Sequence, residues 1–234
     1  MANLIDFLQH QNLVWQGTDN APLTQRLVEK VSTGYDVLDA HLDGGFPMPG
    51  VVDIKSHTGV GEVRLLLPYI RSQSRLCVMI NPPACINAHA LVHQDVMTEL
   101  VWVISTSTCQ EALWAAEQCL KSGACGSVLL WHRDLQVHQV KRLLLSAQTG
   151  KSLCCLLRND VSQFGSLPVS LCLQLEPGID GLKIKVNKLR GGWAKPQLTL
   201  PWRLLWPLVI AQTEQKAPEA QVLPFLQPQR RASR

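Results

Sequence analysis

Apolar positions fall along the chain in short continuous runs separated by stretches of helical periodicity. The runs near 51–55, 76–80, 100–104, 127–131 and 152–157 are apolar almost throughout. Strands of that kind are buried on both faces, as parallel strands covered by helices are. Amphipathic segments near 61–73, 87–97, 108–123 and 134–150 alternate with them and predict helices. Thr108-Cys-Gln-Glu111 reads as a capping box, and Gly123 as the stop of that helix. Pro68 is expected to kink or shorten the helix it falls in. Five β units alternating with helices predict an α/β three-layer sandwich on a mostly parallel sheet. A helix over 32–42, capped by Ser32 or Thr33, and a Gly- and Pro-punctuated loop over 43–50 lead into it.

After about residue 160 the period changes to two. Leu171–Glu176 and Leu182–Asn187 each alternate apolar and polar, with Pro177-Gly-Ile-Asp-Gly181 between them. That pattern predicts an antiparallel hairpin with one wet face, added to the sheet. At the start, residues 3–15 suit a short helix, 17–22 a linker and 23–31 a second short element. The organisation read from this is a helical N-terminal extension over 1–31, a core over 32–210, and a disordered basic tail over 211–234.

Charge changes the picture at one end. Residues 1–182 hold 12 Lys/Arg against 16 Asp/Glu, whereas 183–234 hold 10 against 2. A basic C-terminal fifth suits an acidic partner, either nucleic acid or protein, and equally a solubilising tail. The eight Cys include no C-x-x-C pair and lie mostly in apolar runs, which fits free thiols in a reducing cytoplasm. The N-terminus carries Asp6 and no long apolar core, so no signal peptide is expected, and no apolar run reaches the ~20 residues of a membrane span.

The chemistry centres on residues 50–67. A β-branched run leads into a glycine-containing loop and then an apolar helical segment, the layout of a phosphate-binding loop. In the frame G-x-x-x-x-G-K-[ST], Ser56 stands for the first Gly, Gly61 for the second, Glu62 for the Lys and Val63 for the Ser/Thr, with Gly59 inside the loop. The cation is replaced by an anion and the Mg²⁺-holding hydroxyl by an isopropyl group. The loop therefore reads either as a vestigial site or as a plain strand–helix turn. Both readings predict no ATP hydrolysis, no cofactor and no enzyme. No Cys or Ser sits in a G-x-S-x-G nucleophile turn.

Three further groups deserve placement. Cys85, His89 and His93 recur every four residues, a spacing usable for zinc on one helix face but too long for one ion, and no metal is expected. Lys183, Lys185, Lys188, Arg190 and Lys195, with Trp193 among them, form a basic stretch for DNA or partner contact, or else a solvated hairpin face. Trp202, Leu204, Leu205, Trp206 and Leu208 form an apolar cluster that caps the core or docks a partner.

Two resemblances build on these motifs. Ser32-Thr-Gly, Leu38-Asp39, Gly44-Gly45, Pro47 and Gly50, followed by a strand and the loop, resemble the entry to the RecA ATPase core. Leu182-Lys-Ile-Lys-Val-Asn-Lys188 resembles its later Lys-Asn-Lys strand. Where that family's strand ends in an Mg²⁺-water-binding Asp, this chain has Val128-Leu-Leu-Trp131. Gly59-Val-Gly-Glu-Val-Arg-Leu-Leu-Leu-Pro68, Asn81-Pro-Pro83, the segment 112–126 ending Ser-Gly-Ala-Cys-Gly, Lys188-Leu-Arg-Gly-Gly192 and Trp15-Gln-Gly17 resemble the ImuA family. These are RecA-like accessories of SOS-induced mutagenic translesion synthesis. That resemblance implies a P-loop-type fold and a non-catalytic role. It also implies an ImuB-like partner and a DnaE-type polymerase, with RecA, DNA or a second copy as further partners. Residues 112–158 also resemble SulA, a division inhibitor that binds FtsZ, but SulA lacks the N-terminal entry and the loop.

Overall fold

The computed structural model describes residues 29–159, 167–192 and 195–206. Within them the strands are β1 (Lys30–Val31), β2 (Phe46–Pro47), β3 (Gly50–Lys55), β4 (Leu76–Ile80), β5 (Val101–Ile104), β6 (Cys125–Trp131), β7 (Leu153–Arg158), β8 (Leu171–Pro177), β9 (Gly181–Leu189) and β10 (Leu198–Pro201). The helices are α1 (Asp36–His41), α2 (Glu62–Arg71), α3 (Ala88–Val92), α4 (Cys109–Lys121), α5 (Val137–Gly150) and α6 (Trp202–Leu205). β1 and β2 form a small antiparallel pair. The other eight strands make one sheet in the order β10-β9-β8-β3-β7-β6-β4-β5. β3 to β8 pair in parallel, and β9 and β10 add antiparallel beyond β8.

Helices cover both faces. α1, α2 and α6 bury Leu38, Leu65, Leu66, Tyr69 and Leu205 against Val52, Ile54, Met79 and Leu173. α4 and α5 bury Leu113, Ala116, Leu120, Val140 and Leu143 against Val78, Val128, Leu130 and Cys154. Burial on both sides is why the central strands are apolar at odd and even positions alike. No helix among the described residues is long and apolar enough to cross a membrane.

Several boundaries differ from the sequence reading. α1 starts at Asp36 with Tyr35 at its N-cap and no side-chain cap, so neither Ser32 nor Thr33 caps it; both bond instead to the Asp39 carboxylate. Ser32 Oγ donates to Asp39 Oδ2 at 2.5 Å and the Thr33 N–H to Oδ1 at 2.7 Å. The helix expected over 87–97 closes after Val92, and of its five residues only Leu91 is buried. α2 runs through Pro68. Pro68 has no N–H for the Arg64 carbonyl one turn earlier, and the Tyr35 hydroxyl donates to that carbonyl instead, at 3.4 Å. β1 pairs Lys30 and Val31 with Pro47 and Phe46 of β2. The helix expected over 3–15, the linker over 17–22, all but the last three residues of the short element over 23–31, and the tail over 211–234 lie outside the described residues.

The Thr108–Glu111 capping box is present, with Thr108 Oγ1 accepting from the Glu111 N–H at 3.2 Å. Thr108→Ala is expected to cost about 1 kcal/mol. The measurement is a lower urea midpoint at unchanged slope.

Candidate functional site

β3 delivers the chain to Ser56, whose N–H bonds the Arg158 carbonyl at 3.0 Å. The loop then turns through Gly59 (φ 87°) and Gly61 (φ 119°), the N-cap of α2. A Cβ at either glycine would meet nothing within 4 Å, so their positive φ, not space, calls for glycine. Two of the loop's N–H groups, those of Gly59 and Gly61, find their acceptor in the next helix. Glu62 Oε1 accepts from Gly59 at 3.1 Å and Oε2 from Gly61 at 3.1 Å. Glu62 is buried at the first position of α2, where the helix dipole favours negative charge. Its carboxylate takes the anion position of this pair of backbone donors. A second anion about 4 Å away would face roughly 4 kcal/mol of repulsion at an effective dielectric near 20. Val63 packs against the core, and Trp131, at the end of β6, is half-buried.

Beside the loop, at the C-terminal ends of β3, β4, β6 and β7, lies a cavity of about 530 Å³. Ser56, Glu62, Asn81, Trp131, His132 and Arg158 are among its lining residues. Asn81 ties the end of β4 to the loop after β5, exchanging hydrogen bonds with Thr106 at 2.9 and 2.8 Å. His132 is 8% exposed, and neither ring nitrogen has a hydrogen-bond partner among the described residues. Burial holds its pKa below the ordinary value, with Asp134 opposing and Arg158 reinforcing that shift.

Below about pH 6.5 the unfolded chain takes up a proton that the buried ring resists, so stability is held above that pH and lost as pH falls through it. The melting temperature is expected to fall more from about pH 7 to pH 5 in the wild type than in His132→Gln. Equal slopes would remove His132 as the cause.

Sequence reasoning missed the buried charge beneath the cavity. Asp53 in β3 and Arg158 in β7 form a two-pronged pair, Nε to Oδ1 at 2.7 Å and a terminal nitrogen to Oδ2 at 2.6 Å. Both side chains are 2% exposed. The Cys172 thiol donates to Asp53 at 3.6 Å, and burial pushes that thiol up to about 12. The available signal was Asp53 inside the apolar run 51–55 and Arg158 directly after the run 152–157.

The basic stretch is distributed. Lys183 and Lys185 are exposed on the face opposite Leu182, Ile184 and Val186. Lys188 joins their face because the β8–β9 register shifts at Asn187, and its Nζ donates to the Leu167 carbonyl at 2.8 Å. Arg190 is exposed beyond the strand. Lys195 pairs with Asp43 at 2.5 Å, and that hydrogen bond holds the Asp43 carboxyl below its usual range. Trp193 lies outside the described residues.

Cys85 precedes α3 instead of sharing its face with His89 and His93, and all three are exposed. Among the described residues no three His, Cys, Asp or Glu side chains gather as a metal site. In the C-terminal apolar cluster Leu205 is buried and Leu204 is 45% exposed. Arg64 clamps this cluster to α2, stacking 4.5 Å from the Trp206 ring and donating to the Leu205 carbonyl at 2.5 Å. Leu208 lies outside the described residues.

No family model matches the chain, and no curated protein matches it. Among solved structures it is similar to the crystal structure of SulA from Pseudomonas aeruginosa. The match has 22% identity and a TM-score of 0.41, covering 47% of this chain and 98% of that one.

Proposed function

We propose that this chain is a non-hydrolysing, RecA-related accessory of SOS-induced error-prone translesion DNA synthesis. In this reading it docks an ImuB-like polymerase-fold partner in the cytoplasm and supports a DnaE-type polymerase. The observation that carries the non-catalytic half is the Glu62 carboxylate bonded to Gly59 and Gly61. A P-loop-type nest filled by its own anion, with Val63 in place of a hydroxyl and Trp131 in place of a strand-end acid, lacks the parts that hold and activate a nucleotide. The partner half rests on the ImuA-type motifs, above all Gly59-Val-Gly-Glu-Val-Arg-Leu and the 112–126 helix ending. Lys183 and Lys185 are the exposed cations best placed to meet DNA or an acidic partner surface.

A second reading, a division inhibitor binding FtsZ, draws on the SulA-like pattern over 112–158, which spans α4, β6, α5 and β7. A pull-down of the full chain against ImuB and FtsZ, with and without residues 211–234, separates the two. Capture of ImuB alone supports the translesion reading, and its loss on truncation places the contact in the tail. Capture of FtsZ alone overturns it.

A further inference from the structure

β5 closes one edge of the sheet, pairing with β4 and with no other strand among the described residues. The two sides of its backbone can be told apart. The Asn81 N–H bonds the Ile104 carbonyl at 2.9 Å, so Ile104 and, two residues back, Trp102 turn their backbone groups towards β4. Val101 and Val103 turn theirs the other way, and the N–H and C=O of each face out from the edge without a strand to meet them among the described residues. The side chains leave both faces of that edge apolar. The register sets Trp102 beside Val78 on the α4–α5 side and Val103 beside Met79 on the α1–α2 side. Trp102 is 57% and Val103 50% exposed. The usual guards are missing: β5 holds no Lys, Pro or Gly and pairs with β4 without a bulge, whereas β10 at the other edge ends in Pro201.

An edge of this kind is covered by an extended strand, and the chain's own ends suit it poorly. The described chain ends at Trp206, after β10, which lies at the opposite edge, seven strand spacings of about 4.8 Å from β5. Residues 207–234 carry Pro207, Pro218, Pro224 and Pro228, each lacking the N–H that a ladder needs. Residues 3–15 have helical rather than alternating spacing. A second copy of β5 fits. About a two-fold axis normal to the sheet, each face continues onto the same face of the partner, so residues directly opposite one another must share a face. An axis at Trp102 sets Val101 opposite Val103 and Trp102 opposite itself. Val101 and Val103 then make the hydrogen-bonded pairs, and every outward N–H and C=O of the strand is used. Trp102 falls in the non-hydrogen-bonded pair, where side chains approach most closely. Charge is compatible as well: Glu99, the charged residue nearest in sequence, lies opposite Ser105.

We propose that β5 is the contact strand of a homodimer, in which two copies pair antiparallel through Val101–Ile104 about a two-fold axis at Trp102 and join their sheets into one. The interface buries Trp102 on one face and Val103 on the other. The Glu62 loop follows β3, inside the sheet, and stays outside the contact. The proposal is independent of the function proposed above.

The test is sedimentation of the full chain over rising concentration, with residue-resolved amide exchange on the same samples. The mass is expected to move from 26.0 kDa towards twice that value. Over the same range the Val101 and Val103 amides should slow by roughly tenfold or more, whereas Trp102 and Ile104, already bonded to β4, change little. Trp102→Lys sets two like charges opposite each other and should return the protein to a monomer, with its melting temperature held because the side chain is exposed. The wild-type series stands by itself if that variant does not fold. The mass of one chain at every concentration would overturn the proposal. So would a dimer that Trp102→Lys leaves intact, or one in which Val101 and Val103 exchange as fast as in the monomer, since either places the contact elsewhere. Protection of those two amides that does not vary with concentration would overturn it too, because a segment of the same chain would then cover the edge.

Discussion

Asp53→Ala is expected to destabilise the chain by about 3–5 kcal/mol, the usual cost of removing one partner from a buried ion pair. β3 lies between β8 and β7 in the interior of the sheet, and Asp53 meets the Arg158 fork with both carboxylate oxygens. With 2% of each side chain exposed, water cannot take the carboxylate's place. For a chain of this length the loss corresponds to a fall in melting temperature of roughly 10 °C. The cost arises from the cation losing its buried carboxylate rather than from the net worth of the pair. The double replacement Asp53→Leu with Arg158→Met should therefore recover most of it. Urea titrations of the wild type and both variants check this. A single variant within about 1 kcal/mol of the wild type would mean that the guanidinium finds compensation elsewhere.

The second large effect is expected at Glu62. Glu62→Ala leaves the Gly59 and Gly61 N–H groups without their acceptor, at a cost of about 1–3 kcal/mol where no replacement reaches them. Glu62→Gln keeps one acceptor oxygen and should fall between. Opening the nest should also create an anion site at the start of α2. Millimolar inorganic phosphate is thus expected to restore part of the melting temperature of Glu62→Ala and to leave the wild type unmoved, with amide exchange at Gly59 and Gly61 reporting on the loop itself. An equal response of both proteins to phosphate would place the anion elsewhere.

Much of the architecture was legible because burial leaves a plain mark on sequence. β4, β6 and β7 stood out as continuous apolar runs, and the β8–β9 hairpin as alternation with a Pro-Gly turn. β10 was missed: Leu198-Thr-Leu-Pro201 is four residues long, and its pairing to Ile184–Gly181 is decided by a partner strand, not by its own pattern. β1 and β2, two residues each, leave no periodic signal. At the site, the anion at position 62 was legible as an obstacle to phosphate. Its role as internal acceptor was not, because that depends on how Gly59 and Gly61 turn. Asp53 and Arg158 lie 105 residues apart, and only the parallel pairing of β3 with β7 brings them together. The basic stretch looked like one patch because sequence proximity hides the bonding of Lys188 to the Leu167 carbonyl and the capture of Lys195 by Asp43.

The central claim is that the chain's own carboxylate holds the loop in place of a nucleotide. Calorimetric titration of the full chain with Mg²⁺–ATP and with ADP, alongside a phosphate-release assay, tests it most directly. The account predicts no saturable heat and no phosphate released above the protein-free rate. Saturable binding of either nucleotide, or phosphate release above that rate, would contradict it.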